Sequence, residues 1–207
     1  MLELAEAQTG GQPLDVLDVG CGNGRFAAFL ADRCARYRYL GIDASAELLA
    51  HARARGSADA PVRYRQADFL EKPIEPGQRF SLVVLFGVLH HVPGRRQRLA
   101  LVQSLARCLR TPGLLVLTAW KFDALRKGRP WREFNRTAKE PIDLDQLEPG
   151  DHLLPWGNGD GIRFCHFADD AEIEAISREA CLDPIAAFSA DGPSSDLNRY
   201  FVFSPRS

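Results

Sequence analysis

The sequence lacks any run of apolar residues long enough to cross a bilayer, which takes about 20 in succession. Its first residues, Met1-Leu2-Glu3-Leu4-Ala5-Glu6-Ala7, lack the basic segment and apolar core of an export signal. Its five cysteines, at 21, 34, 108, 165 and 181, are odd in number and form no C-x-x-C pair, which argues against a disulfide framework or a zinc knuckle. No metal site is therefore expected. Charge of one sign is also missing: 26 Lys and Arg face 27 Asp and Glu, for a net −1. Binding to a polyanion would have to rest on a local patch. These absences describe a reduced, cytoplasmic protein with no membrane partner.

What is present is one α/β domain over residues 1–207, long enough to bury a sizeable core. Residues 2–8 read as a short amphipathic helix, followed by a Gly10-Gly11-Gln12-Pro13 breaker. The chain is then organised around Val16-Leu17-Asp18-Val19-Gly20-Cys21-Gly22-Asn23-Gly24-Arg25-Phe26, an apolar strand running into a glycine-rich turn that opens a helix. Three alternate glycines keep side chains away from whatever lies on the turn. The spacing is G-x-G-x-G, not the G-x-G-x-x-G of dinucleotide-binding turns. Asp18 places a carboxylate beside it, which would repel a pyrophosphate and attract an amino group or a sulfonium. Tyr37 to Ile42 forms a second strand ending at Asp43, where such folds bind ribose hydroxyls. Ser45 fits the N-cap of the next helix.

Strands follow over 62–66, 80–86 and 114–120, separated by helical segments, so a doubly wound, mostly parallel sheet is expected. The 80–86 run is apolar throughout, as a central parallel strand should be. A helix is expected over 95–109 with apolar positions 99, 102, 105, 106 and 109, and a break at Thr111-Pro112-Gly113. Periodicity fails from 121 to about 167. Residues 121–140 carry seven basic and three acidic side chains, with Trp131 and Phe134 among them. Such mixing suits a phosphate-and-base surface; a solvated insert fits equally, and Asp143, Asp145, Glu148 and Asp151 would then neutralise it. Asp169-Asp170 caps a last helix, and 183–190 with 198–203 read as a hairpin.

The glycine stretch resembles the first motif of the class I S-adenosylmethionine-dependent methyltransferases. That resemblance implies a Rossmann-like, seven-stranded sheet with an antiparallel last strand, and S-adenosyl-L-methionine as cofactor. It implies cofactor contacts from Asp18, Gly20, Cys21, Gly22, Asn23, Gly24, Asp43, Ala44 and Phe86. Asp68 and Phe69 match the positions that take the adenine amino group and ring. A pyridine-dinucleotide dehydrogenase remains the rival for the same turn.

Further stretches resemble the tRNA wobble-uridine carboxymethyl methyltransferases: Gly87-Val88-Leu89-His90-His91, Arg95-Arg96, Trp120, Gly150-Asp151-His152-Leu153-Leu154-Pro155-Trp156, Arg163-Phe164-Cys165-His166-Phe167 and Asn198-Arg199-Tyr200-Phe201-Val202. Phe164 and Cys165 stand where that family has two tyrosines. The resemblance implies that Arg25, His90 or His91, Trp156, Arg163 and His166 line an acceptor site, with residues 121–167 as a substrate-side insert. It implies esterification of a tRNA carboxymethyl group, with tRNA held through the basic 121–139 segment. Eukaryotic members of that family work with a small zinc-binding protein, so a small activating partner is a further implication. A small-molecule O- or N-methyltransferase, or a non-catalytic S-adenosylmethionine-binding subunit, are the alternatives.

Overall fold

The computed structural model describes residues 2–56, 60–72, 74, 77–121, 144–156 and 161–206. Nine strands are described: β1 Leu14–Val19, β2 Tyr37–Asp43, β3 Val62–Gln66, β4 Phe80–Leu85, β5 Leu109–Trp120, β6 Asp151–Trp156, β7 Gly161–His166, β8 Leu182–Ala190 and β9 Asn198–Pro205. Five helices accompany them: α1 Leu2–Ala7, α2 Arg25–Arg33, α3 Ala46–Arg55, α4 Arg95–Arg107 and α5 Asp170–Glu179.

Seven strands form one sheet in the order β3-β2-β1-β4-β5-β9-β8. β3, β2, β1, β4 and β5 run parallel, and β9 is antiparallel to both its neighbours. Alternation along the strands supplies two buried faces. Leu17, Val19, Val83, Leu85, Leu115, Leu117, Phe201 and Phe203 pack with Leu101, Val102 and Leu105 of α4 and with Ile173 and Ile176 of α5. Leu14, Val16, Leu82, Val84, Leu114, Val116 and Val202 pack with Ala5 of α1, Ala27 and Leu30 of α2 and Leu49 of α3. The expected seven-stranded class I architecture is present.

The expected caps form where the polar side chains stand. Ser45 accepts from the Leu48 amide and Asp169 from the Glu172 amide. Two expectations change. Thr111-Pro112-Gly113 does not precede the fifth strand but lies inside β5, where a register shift against β4 absorbs it. The region expected to lack periodicity contains β6 and β7, an antiparallel hairpin pairing Asp151 with His166 and Leu154 with Arg163. The basic 121–139 segment beyond Lys121, with Trp131 and Phe134, lies outside the described residues.

Candidate functional site

Gly20, Gly22 and Gly24 all have left-handed backbones, with φ of 72°, 54° and 78°. A side chain at Gly20 would also collide with Val88, whose Cγ2 would lie 2.2 Å from the added carbon. Gly22, by contrast, faces open space, as does Gly87 at the end of β4. The loop and the end of β4 thus form a cradle free of side chains at the carboxyl ends of the strands, where open α/β sheets take ligands.

Asp43 is pinned at the rim of that cradle. One oxygen accepts from the Gly22 amide and the other from the Ser45 amide, each at 2.8 Å. The carboxylate is therefore fixed against the loop, with lone pairs left for two hydroxyls. Ala44 beside it is exposed, and its carbonyl accepts from Gln66. Asp18 lies beneath the loop, 2% exposed, and accepts from the Tyr39 hydroxyl at 2.5 Å. Burial pushes its carboxyl up to about 7, partly offset by that hydrogen bond and reinforced by Asp43. Burial thus holds back its charge near neutrality. A cation above the loop would favour its ionised form.

Cys21 is buried, and burial raises its thiol well above the ordinary value. Asn23 is half-buried at the top of the turn. Phe69 sits near the loop, its Cζ 3.7 Å from where a Gly20 side chain would begin. A cleft of about 440 Å³ opens beside it, lined by Ile42, Ala67, Asp68, Phe69 and Ile74. Asp68 is exposed, and one of its oxygens accepts from the amides of Leu70 and Glu71, so it also caps a local turn. Phe86 packs edge-on against Phe26 and Tyr200, at 5.1 and 5.7 Å between ring centres. Its position is that of a wall on the helix α2 side.

The second group stands where β4 and β5 end. His90 is buried against Trp120, with ring centres 5.1 Å apart, and touches His91 at 4.1 Å. Burial, and then the neighbouring His91 and Arg163, push its imidazole down to about 3, so it is neutral at pH 7. Burial also lowers His91. Its Nδ1 lies 3.1 Å from the Phe164 carbonyl, an acceptor, so that nitrogen carries the hydrogen and Nε2 does not. Arg163, on β7, lays its guanidinium over the Trp120 ring at 5.1 Å. The hairpin therefore carries a cation to the histidine pair. Trp156 ends β6, and its side chain lies outside the described part of the structure. Arg25 is exposed at the first residue of α2, and no described contact joins it to Arg163 or to the histidine pair.

His166 does not belong to this group. It is 1% exposed, with Nδ1 2.6 Å from Asp151 and Nε2 2.7 Å from Glu172. Carboxylates only accept, so both nitrogens must carry hydrogens and the ring is an imidazolium. Its place is a buried network with Arg98, which pairs with Glu148 and Glu172 at 2.8 Å each and also donates to the Val92 carbonyl. Glu148 and Asp151, read from sequence as neutralising the basic insert, are drawn into this network instead. Arg98 was missed. Its spacing from Leu101, Val102 and Leu105 places it on the apolar face of α4, which was the available signal.

The network makes a pH prediction. Burial opposes the charge on His166, but the bonds to Glu172 and Asp151 outweigh it and the ring titrates above 6.5. Its stabilisation is complete below 6.5 and lost as pH rises through the higher folded value. Glu148, held down by the Arg95 amide, and Glu172, held down by His166 against its burial, titrate below 4.5. Their contribution is lost as pH falls below that. Thermal unfolding from pH 5 to 9 should show wild-type stability declining above about 6.5, and His166→Gln declining less. Parallel profiles would mean the ring is not charged in the fold.

The profile of the methyltransferase-domain family matches residues 16–113. An uncharacterized methyltransferase of Mycobacterium tuberculosis is 37% identical over 114 residues, 55% of this chain and 54% of that one. The chain thus spans about half the length of the curated mycobacterial relatives it matches. A trans-aconitate 2-methyltransferase of an Azoarcus species is 34% identical over 236 aligned positions, covering 92% of this chain and 86% of the relative. A Xenopus tropicalis tRNA (carboxymethyluridine(34)-5-O)-methyltransferase is 32% identical over 108 residues, 52% of this chain and 16% of the relative. Among solved structures, a methyltransferase of Methanosarcina mazei superposes with a TM-score of 0.69 at 16% identity, over 94% of this chain and 93% of the other. No helix among the described residues is long and apolar enough to cross a membrane.

Proposed function

We propose that this chain, which belongs to the class I S-adenosylmethionine-dependent methyltransferases, esterifies a carboxylate. The carrying observation is Arg163 stacked on Trp120 beside two histidines held neutral. The glycine loop, Asp43, Phe69 and the open space at Gly22 and Gly87 fit the cofactor, which supplies an electrophilic methyl on its sulfonium. Asp43 would take the ribose hydroxyls, Phe69 the adenine ring, and Asp18 would balance the cationic end. A carboxylate acceptor needs no base, because it is already anionic at neutral pH. It needs a planar donor to orient it, and a guanidinium fixed by an aromatic face is suited to that. Neutral histidines fit this reading, since neither competes with Arg163 as a cation. The work left to the site is alignment of two bound reactants.

Of three relatives whose names give an acceptor, two name a carboxylate, trans-aconitate and the carboxymethyl group of a tRNA uridine, which supports the reading, and the third names a release-factor glutamine. The tRNA acceptor is the finer form, favoured by the motifs at 87–91, 150–156 and 163–167. A small di- or tricarboxylate is the second form, favoured by the relative that aligns along most of the chain. Incubation with tritiated cofactor and either bulk tRNA or a polycarboxylate extract tests both. The expected product releases its tritium as volatile methanol in mild alkali, as an ester does and an N-methyl group does not. Alkali-stable label from both acceptor pools would overturn the carboxylate reading.

A further inference from the structure

At the opposite end of the sheet, the amino ends of β1, β2, β3 and β5 enclose a cleft of about 680 Å³. Arg38, Arg63, Arg79 and Arg110 line it, and Asp15 is the one carboxylate among the described lining residues. Asp15 is 4% exposed, so a single guanidinium would suffice to neutralise it. Two are bound to it: Arg38 grips both its oxygens, at 2.6 and 2.8 Å, and Arg110 joins one of them. Arg110 also donates to the Arg79 carbonyl, and Arg79 donates to the carbonyls of Arg107 and Leu109 at 2.9 and 3.0 Å.

The three guanidiniums are thus held by groups that use only part of their donor sets, since each carries five N–H. Arg63 is exposed on the same wall, with Leu40 as the apolar floor between the strands. Among the described lining residues, four fixed or adjacent cations against one buried anion leave a positive excess that an ordinary surface ion pair would not need. The net charge of −1 for the whole chain conceals this local patch. The cleft is about 20 Å from the glycine loop, the length of β1 at about 3.3 Å per residue.

We infer that this cleft is a binding site for a phosphate-bearing anion, distinct from the methyl-transfer end. Phosphate oxygens accept from planar guanidinium forks as carboxylates do, with more charge and three faces to present. Guanidiniums already held in place need less ordering on binding. A cleft of this size takes a nucleotide-sized group.

Calorimetric titration of the full chain with pyrophosphate, without cofactor, tests the site. Saturable binding is expected, weakening as salt is raised. It should fall by at least about tenfold in Arg63→Ala/Arg79→Ala, while S-adenosylmethionine affinity stays within about twofold of wild type. If the double variant does not fold, Arg63→Glu alone, which breaks no described hydrogen bond, should show the same loss. Absence of saturable binding by wild type, or equal affinity in the variants, overturns the inference. A single-stranded RNA 12-mer then identifies the source. Displacement of pyrophosphate assigns the phosphate to an RNA backbone, and retention assigns it to a free phosphate compound. Neither readout involves methyl transfer, so failure here and failure of the carboxylate reading are separable.

Discussion

Arg98→Met is expected to lower the stability of the fold by up to about 3–5 kcal/mol, the upper end of the cost of removing a buried cation from two partly buried carboxylates. Arg98 is 1% exposed and ties α4 to the hairpin side through Glu148 and to α5 through Glu172. Glu172, 18% exposed at its side chain, would keep His166 alone; Glu148 is partly hydrated and loses less. For a domain with about 5–15 kcal/mol in total, the loss is a large fraction. A drop of about 10 °C or more in the thermal midpoint should accompany it. The double variant Arg98→Met/Glu172→Gln should recover part of the loss, because the stranded charge is gone. A midpoint within about 2 °C of wild type would show that the network does not support the fold.

That network explains which parts of the site could be read from sequence. The turn at 20–24 and Asp43 are specified locally. A strand, alternate glycines and an acid at the next strand end each leave a mark within a few residues, and the structure builds them as read. Asp68 was legible as a strand-end acid, but its turn-capping bonds come from its own next three residues and compete with a ligand role. The hairpin β6–β7 was missed although Gly157-Asn158-Gly159-Asp160 stands between its strands in the sequence, a turn-forming composition. Pro155 and the mixed polar residues hid the alternation. His166 could not be placed from sequence at all. Its partners are 15 residues back and 6 ahead, and Arg98 is 68 positions away, so only the tertiary pairing of hairpin, α4 and α5 distinguishes a clamp from an acceptor ligand.

The clamp and the acceptor site share one element. Asp151 and His166 pair at one end of the hairpin, and Arg163 lies three residues before His166 on the same strand, over Trp120. Loosening the clamp should therefore also reduce the precision with which Arg163 is presented, and Arg98→Met should lose transfer activity at temperatures where it is still folded.

Arg163→Gln is expected to reduce kcat/KM for the carboxylate acceptor by about 100-fold, the equivalent of about 3 kcal/mol for a lost charge-assisted contact. The effect should be confined to the acceptor. S-adenosylmethionine affinity should stay near wild type, because the loop, Asp43 and Phe69 lie at the ends of β1, β2 and β3 of the seven-stranded sheet, whereas Arg163 stands on the separate β6–β7 hairpin. Arg163→Lys separates charge from shape. A lysine keeps the cation but gives up the planar fork and its stacking on Trp120, so it should restore only part of the rate. If Lys restored full activity, the guanidinium would serve only as a charge that attracts the acceptor, and the orienting role would fall. If Gln retained full activity, Arg163 would have no part in binding the carboxylate, and the neutral His90–His91 pair would be the remaining basis for choosing an acceptor. Trp120→Leu provides the companion measurement. It leaves the cation in place and removes its platform, so a loss intermediate between Lys and Gln is expected if the ring fixes the fork's orientation.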